Sequence, residues 1–281
     1  MDNFVLRLDK AKKAIDEADY IVIGAGAGLS TAAGIDYAGE RFERYFKDYI
    51  DEYNFTDMYS SGFYPFETSE EKWAYWALHI FANRYDVGKT DVYMKLLDLV
   101  KDKDYFVITT NVEHQFWING FDDERIFATQ GDYGLLQCGR ACHQKLYPNE
   151  DMVREWLEKT RDFKIPTELI PKCPVCGEEM DLNLRKDSFF VEDEKWHRMN
   201  ENYYRFLKNV DGKVVFLEFG VGFNTPTIIR YPFEQMTYSD SNATLIRFNL
   251  DYPQAIPENK DKTISFDENI EEILDYWLSG I

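Results

Sequence analysis

A β-branched run, Tyr20-Ile21-Val22-Ile23, passes directly into Gly24-Ala25-Gly26-Ala27-Gly28-Leu29-Ser30. A strand that ends in glycines and continues into helix-compatible sequence predicts a strand–turn–helix unit. Bare backbone there can approach a pyrophosphate, and the helix start offers amide donors and a favourable dipole. The order is G-x-G-x-G rather than the G-x-G-x-x-G of the common dinucleotide fingerprint. A tight turn without a ligand would use the same residues, but the position after the first strand favours nucleotide binding.

Similar short apolar runs recur, each closed by small or polar residues. Tyr105–Ile108 ends in Thr109-Thr110-Asn111, and Arg125–Ala128 ends in Thr129-Gln130-Gly131. Val214–Phe219, Thr244–Asn249 and Asp261–Phe266 follow, with helical spacing over Leu6–Ala18, Thr225–Met236 and Asp267–Leu278. This alternation predicts an α/β fold, a Rossmann-like doubly wound parallel sheet with ligands at the carboxyl ends of its strands. We assign residues 1–36, 101–131 and 210–281 to that domain. Residues 37–100, dense in aromatics and charge and helical around Arg41–Tyr53 and Glu70–Arg84, are read as a helical insertion, and 191–209 as a connecting helix.

Residues 132–190 contain all four cysteines, as Cys138-Gly-Arg-Ala-Cys142 and Cys173-Pro-Val-Cys176. Four cysteines in 281 residues are too few for a disulfide scaffold, and two close pairs suit one tetrahedral, structural zinc ion. The three-residue spacer of the first pair is longer than usual. His143 offers a fifth donor, although an exposed loop position is its expected state. The charge balance, 32 basic against 51 acidic residues or −19, disfavours nucleic acid and anionic membranes. The start of the chain is a charged amphipathic helix without the apolar region of a signal peptide, and no apolar run is long enough to span a bilayer, so a cytoplasmic location is expected.

In this order, these pieces resemble the sirtuins, NAD-consuming deacylases and ADP-ribosyltransferases. Gly24 to Ile35 is similar to the family's first NAD-binding motif, and Thr109-Thr-Asn111-Val-Glu113 resembles its T-Q-N-I-D motif. Thr129-Gln130-Gly131 falls where the family has its catalytic H-G pair. Phe219-Gly220-Val-Gly222-Phe-Asn224 resembles the loop at the adenosine ribose, and Arg247-Phe-Asn249 a late strand whose Asn meets the ribose and adenine side. Three departures stand out. Asp36-Tyr37-Ala-Gly-Glu40-Arg41-Phe42 replaces P-D-F-R, Glu113 replaces an Asp, and Gln130 replaces the catalytic His. With them the chain is similar to the microbial class M, macrodomain-linked sirtuins, which are associated with ADP-ribosylation of a lipoylated carrier protein resembling the glycine-cleavage H protein. A macrodomain ADP-ribosyl hydrolase and a lipoate ligase-like enzyme are the further partners that this resemblance implies.

The resemblance implies cleavage of the nicotinamide–ribose bond of NAD, consumed as substrate. Gly24, Ala25, Gly26, Leu29, Tyr37 and Arg41 would line the phosphate and nicotinamide-ribose side. Asn111 would order the ribose hydroxyls or the attacking group, and Glu113 would hold the carboxamide. Gly220, Gly222, Asn224 and Asn249 would bound the adenosine side. Deacylation needs a base for a ribose hydroxyl, help typically worth 10²–10⁴-fold. A glutamine amide has no basic nitrogen. Gln130 can therefore hold a hydroxyl but cannot carry its proton, so deacylation should be weak and ADP-ribosyl transfer favoured. The alternatives are an NAD-dependent lysine deacylase and an NAD-binding or sensing module without turnover.

Three histidines remain. His114 offers a hidden base, though a hydrogen-bonded structural role is the plainer expectation; His79 reads as core or cleft lining, and His197 as exposed. Most aromatics between Tyr37 and Phe55 read as core, with Tyr37 and Phe42 as exceptions. Lys186, Lys195 and Arg198 are weak candidates for a basic docking strip.

Overall fold

The computed structural model describes residues 3–279. The chain runs through α1 (Asn3–Glu17), β1 (Tyr20–Ala25), α2 (Ala27–Ala32), α3 (Gly39–Tyr53), α4 (Met58–Ser61), α5 (Ser69–Ile80) and α6 (Asp91–Val100). It continues through β2 (Asp104–Thr109), α7 (Gln115–Ile118), β3 (Ile126–Ala128), β4 (Gly131–Cys138), β5 (Tyr147–Pro148), α8 (Glu150–Lys159), β6 (Met180–Leu184) and α9 (Glu194–Lys208). It ends with β7 (Val214–Phe219), α10 (Arg230–Ser239), β8 (Ala243–Phe248), β9 (Thr263–Phe266) and α11 (Ile270–Leu278).

Six strands form one sheet in the order β3-β2-β1-β7-β8-β9, and every neighbouring pair is parallel. Successive strand residues face opposite sides. Ile21, Ile23, Val107, Val215 and Leu217 therefore join one core with α1, α6 and α11. Val22, Phe106, Ile108, Val214 and Phe216 join a second core with α9 and α10. This is the doubly wound α/β fold expected. The order reverses between β1 and β7, which opens a crevice at their carboxyl ends.

The aromatic residues after β1 form a core of their own. Phe42, Phe46, Tyr49, Phe55 and Tyr75 are buried together between α3 and α5, so Phe42 packs as core. α6 instead packs on the parallel sheet through Val92, Tyr93, Leu96 and Val100. α5 ends in a capping-box start and, at its other end, a π-helical turn over Phe81–Tyr85. The cysteine-bearing stretch folds as an antiparallel sheet, β5-β4-β6, with Trp156 of α8 against Trp73 of α5 at 5.0 Å between ring centroids. α10 starts at Arg230, later than the pattern from Thr225 predicts, with turns preceding it.

Candidate active site

The two glycine-bearing loops close on each other at the sheet switch point. Gly26 donates its N–H to the Phe219 carbonyl at 2.9 Å, and Gly28 to that of Gly220 at 3.1 Å. Gly220 has φ +58°, and a Cβ there would stand 2.3 Å from the Gly28 Cα. Only glycine satisfies both conditions. Gly24 has a different task, because a Cβ would meet Ile229 Cγ2 at 2.4 Å and Phe233 Cε2 at 2.5 Å. It admits the packing of α10 onto β1. Leu29 is fully buried in the core beneath the sheet.

The loop after β2 lies over this junction. Asn111 donates from Nδ2 to the Gly26 carbonyl at 3.0 Å, while its own N–H is held by Thr109 Oγ1 at 3.0 Å. Glu113 is buried and accepts hydrogen bonds from Ser30 Oγ at 2.8 Å and from Tyr93 OH at 3.0 Å. Burial raises its pKa above the ordinary carboxylate value, and the donors Ser30 and Tyr93 offset only part of that rise. Sequence reasoning passed over Ser30 and Tyr93. Tyr93 carries no signal beyond a core position on an amphipathic helix.

On the other side, Asn249 binds the Val221 carbonyl through Nδ2 at 2.9 Å and accepts from the N–H groups of Asp251 and Tyr252. It ties the loop after β8 to the loop after β7. Gly222 and Asn224 are exposed in the latter loop. Below them Arg247 is completely buried and bonded to both oxygens of Glu218 and to Glu234.

Tyr37 meets Tyr133 hydroxyl to hydroxyl at 2.8 Å, and its ring stands edge-on to His79. His79 is buried and bonded to Tyr75 OH at 3.1 Å, and burial pushes its pKa down to about 3. It is a neutral core histidine at physiological pH. Arg41 donates to the carbonyls of Asp36 and Ala82 and to Asn83 Oδ1 at 2.9 Å, so its guanidinium fastens α3 to the π-helical turn. Gln130 is half-buried at the β3–β4 junction, where its carbonyl accepts from the Arg185 N–H. His114, with φ +69°, bonds Asp132 through Nδ1 and stacks on Trp117 at 4.3 Å. His197 is exposed on α9. Lys186, Lys195 and Arg198 are each paired with an acidic residue: Asp181, Asp123 and Glu124.

The cysteines converge. Sγ atoms of Cys138 and Cys176 are 3.6 Å apart, and those of Cys142 and Cys173 are 3.7 Å apart. Thiolates about 2.3 Å from a tetrahedral zinc stand about 3.8 Å from one another, so the donor set fits zinc. His143 Nδ1 lies 3.1 Å from Cys142 Sγ, and donors of Cys138, Cys142, His143 and Cys173 all lie within 4.8 Å. No described helix is long and apolar enough to cross a membrane.

No family model matches the chain. A protein ADP-ribosyltransferase of Staphylococcus aureus is 37% identical over 276 residues, covering 98% of this chain and 88% of that relative. A probable bifunctional ADP-ribose hydrolase/ADP-ribosyltransferase of Fusarium oxysporum f. sp. cubense is 31% identical over 276 residues, 92% of this chain but 45% of the relative. Among solved structures, a Sir2 homologue–NAD complex matches with a TM-score of 0.60 at 16% identity, covering 96% of this chain and 92% of the other. A Sir2 enzyme bound to a propionylated peptide matches with a TM-score of 0.59 at 18% identity, covering 97% of each chain. These two likenesses bear on the fold, and the curated relatives carry it to the family level. The chain has the sirtuin fold and belongs to the family of the Staphylococcus aureus protein ADP-ribosyltransferase.

Proposed function

We propose that this chain is an NAD-dependent protein ADP-ribosyltransferase that cleaves the nicotinamide–ribose bond and passes ADP-ribose to a protein acceptor. The observation that carries this reading is Gln130, a residue without a basic nitrogen, at the position of the family's proton-carrying histidine. Binding, cleavage and transfer to an acceptor that is already nucleophilic need no base there. Deacylation does, and should be weak. The Staphylococcus relative's name agrees with the reading.

In this reading the crevice between the Gly26 and Gly220 loops receives the dinucleotide. Bond cleavage through an oxocarbenium-like state demands a dry, polar and rigid site. Asn111, held by Thr109 and Gly26, orders the ribose side, and Glu113, held by Ser30 and Tyr93, receives the carboxamide. Gln130 holds a ribose hydroxyl. Asn249, Gly220, Gly222 and Asn224 bound the adenosine side. Arg41, already committed to four acceptors including Met58 Sδ, acts by fixing the wall rather than by meeting phosphate.

The acceptor we favour is a lipoylated carrier protein resembling the glycine-cleavage H protein, in a cytoplasmic pathway with a macrodomain ADP-ribosyl hydrolase and a lipoate ligase-like enzyme. One structural zinc ion on Cys138, Cys142, Cys173 and Cys176 would hold the antiparallel module and take no part in the chemistry. The test incubates the protein with NAD labelled in its adenylate part, with and without the lipoylated carrier, and in a third arm with an acetyl-lysine peptide. Label on the carrier, lost in Asn111→Ala, supports the reading. Deacetylation at an ordinary enzymatic rate overturns it.

A further inference from the structure

A second group of titratable residues is built on Asp132, two residues along the chain from Gln130. The turn after Glu113 puts His114 in the left-handed region, which turns its ring towards the start of β4. There Nδ1 meets Asp132, two residues beyond Gln130. Asp132 is itself fixed by Arg84 Nε at 3.1 Å and by the Gly134 N–H at 2.7 Å. Burial raises the Asp132 pKa, but the His114 bond and the Arg84 charge outweigh it and hold the carboxyl below its ordinary value. A carboxylate on Nδ1 fixes the tautomer with Nδ1 protonated, and leaves Nε2 as the basic nitrogen. Nε2 has no hydrogen-bond partner among the described residues, and the ring is about one-quarter exposed at 26%.

The ring also lines a cavity between the β3–β4 junction and the start of α9. Leu135, Leu146, Val191 and Met199 make its apolar wall, and Gly131 and Asp132 its floor. The charged groups around His114 are Asp132 from β4, which it bonds, Arg84 from the π-helical turn, which bonds Asp132, its chain neighbour Glu113, and Asp193 and Lys195 near the start of α9, which line the same cavity. Asp123 holds both Lys195 and the Trp117 on which His114 stacks. A largely apolar pocket lined by one oriented imidazole suits a side chain that brings a proton to lose.

We propose that His114, oriented by Asp132, is the base that takes the proton from an incoming hydroxyl, thiol or amide acceptor, and that this cavity is where that acceptor enters. The proposal rests on the transferase reading above. The C–N bond from ribose to nicotinamide breaks, and its electron pair leaves with neutral nicotinamide. A bond forms between ribose C1′ and the acceptor atom, whose proton passes to His114 Nε2. The imidazolium is stabilised by Asp132 until the proton is lost to solvent, so one NAD and one protonated acceptor yield nicotinamide, the ADP-ribosylated acceptor and one proton. The acceptor class widens from groups that are already nucleophilic to groups that need a base.

Two small acceptors separate the roles: methanol carries a proton to lose, and azide is already an anion. With the full chain and NAD, nicotinamide release and the methyl and azido products are measured from pH 5.5 to 8.5. Wild type should form the methyl product along a rising limb that reports one deprotonation. His114→Asn tolerates the left-handed backbone and should form it roughly 10²–10⁴-fold more slowly with no such limb. Azide should restore turnover in that variant. Asp132→Asn, which keeps the imidazole but alters its tautomer, should also lose methyl product selectively. Equal loss with both acceptors at retained NAD affinity, or no loss with either, overturns the proposal. Wild type that binds NAD but releases nicotinamide to no acceptor overturns the transferase reading itself.

Discussion

Ser30 of α2, the helix that follows β1, donates at 2.8 Å to the buried carboxylate of Glu113, in the loop after β2 that also carries Asn111. The bond locks the start of the first crossover to the loop after β2, and Tyr93 of α6 completes it from the other side. Three elements distant in sequence thus share one carboxylate, and that carboxylate sits where burial disfavours its charge.

This gives a pH dependence with a definite sign. The folded pKa of Glu113 is raised, so its contribution to stability is full below the ordinary carboxylate range and is lost as pH rises through the folded value. Glu113→Gln keeps an acceptor oxygen for Ser30 and Tyr93 and removes the ionisation. Urea midpoints of wild type and variant, measured from pH 4 to pH 8, should diverge in favour of the variant as pH rises. A constant difference would contradict the burial argument. NAD cleavage should fall in the same variant if the charge serves the carboxamide.

The contact between Gly28 and Gly220 should be intolerant of one methyl group. Gly220→Ala sets a side chain at φ +58° and within 2.3 Å of backbone that cannot recede. Left-handed backbone costs about 1–2 kcal/mol and overpacking about 1–3 kcal/mol, so a loss of about 2–5 kcal/mol is expected. Chemical unfolding measures it, and NAD titration should show weaker binding because the two loops no longer meet. Gly88→Ala, where a Cβ meets nothing within 4 Å, is the control.

The parallel sheet was legible because its strands are short apolar runs closed by small residues, and such runs have few other ways to be buried. Gly26, Asn111 and Glu113 were legible for the same reason: they sit just past strand ends. β4 was not, because Gly131-Asp-Tyr-Gly-Leu-Leu-Gln-Cys138 has neither a continuous apolar run nor clean alternation. Its pairing with β6 is set by tertiary packing. Ser30, Tyr93 and Asp132 escaped notice for a related reason, since each earns its role from a partner 18 to 83 residues away. Arg41 reads as a phosphate ligand by type and motif, but the π-helical turn exposes the Ala82 carbonyl to it, a local irregularity that no periodicity announces.

Near the carboxyl ends of β7 and β8, Arg247 holds Glu218 and Glu234 with no exposed surface of its own. Burial raises the Glu218 pKa, and Arg247 and Arg230 pull it back. Removing Arg247 leaves the two buried carboxylates with only the more distant Arg230, at 3.6 and 3.7 Å, to balance them. Arg247→Met should therefore cost about 3–5 kcal/mol, and the double variant Arg247→Met with Glu218→Gln should recover part of the loss. Non-additivity in a double-mutant cycle is the measured quantity, and strict additivity would show that the pair does not act as a unit.

The cysteine module couples the proposed metal to the turn that carries Gln130 through one strand. β4 begins at Gly131, next to Gln130, and ends at Cys138, whose buried sulfur belongs to the same core as Trp73 and Trp156. A strand fixed at one end by zinc and at the other by the Gly131–Leu184 pairing keeps Asp132 in place for His114. Chelation should release one zinc per chain, change tryptophan fluorescence through the Trp73–Trp156 pair, and abolish turnover before the parallel sheet unfolds. Cys173→Ser should lower Tm by roughly 10 °C, the shift expected when a chain of this size loses about 3–4 kcal/mol. His143→Ala should retain full zinc, because the four sulfurs already satisfy tetrahedral coordination. Loss of zinc in that variant, with Cys176→Ser retaining it, would make His143 the fourth ligand instead.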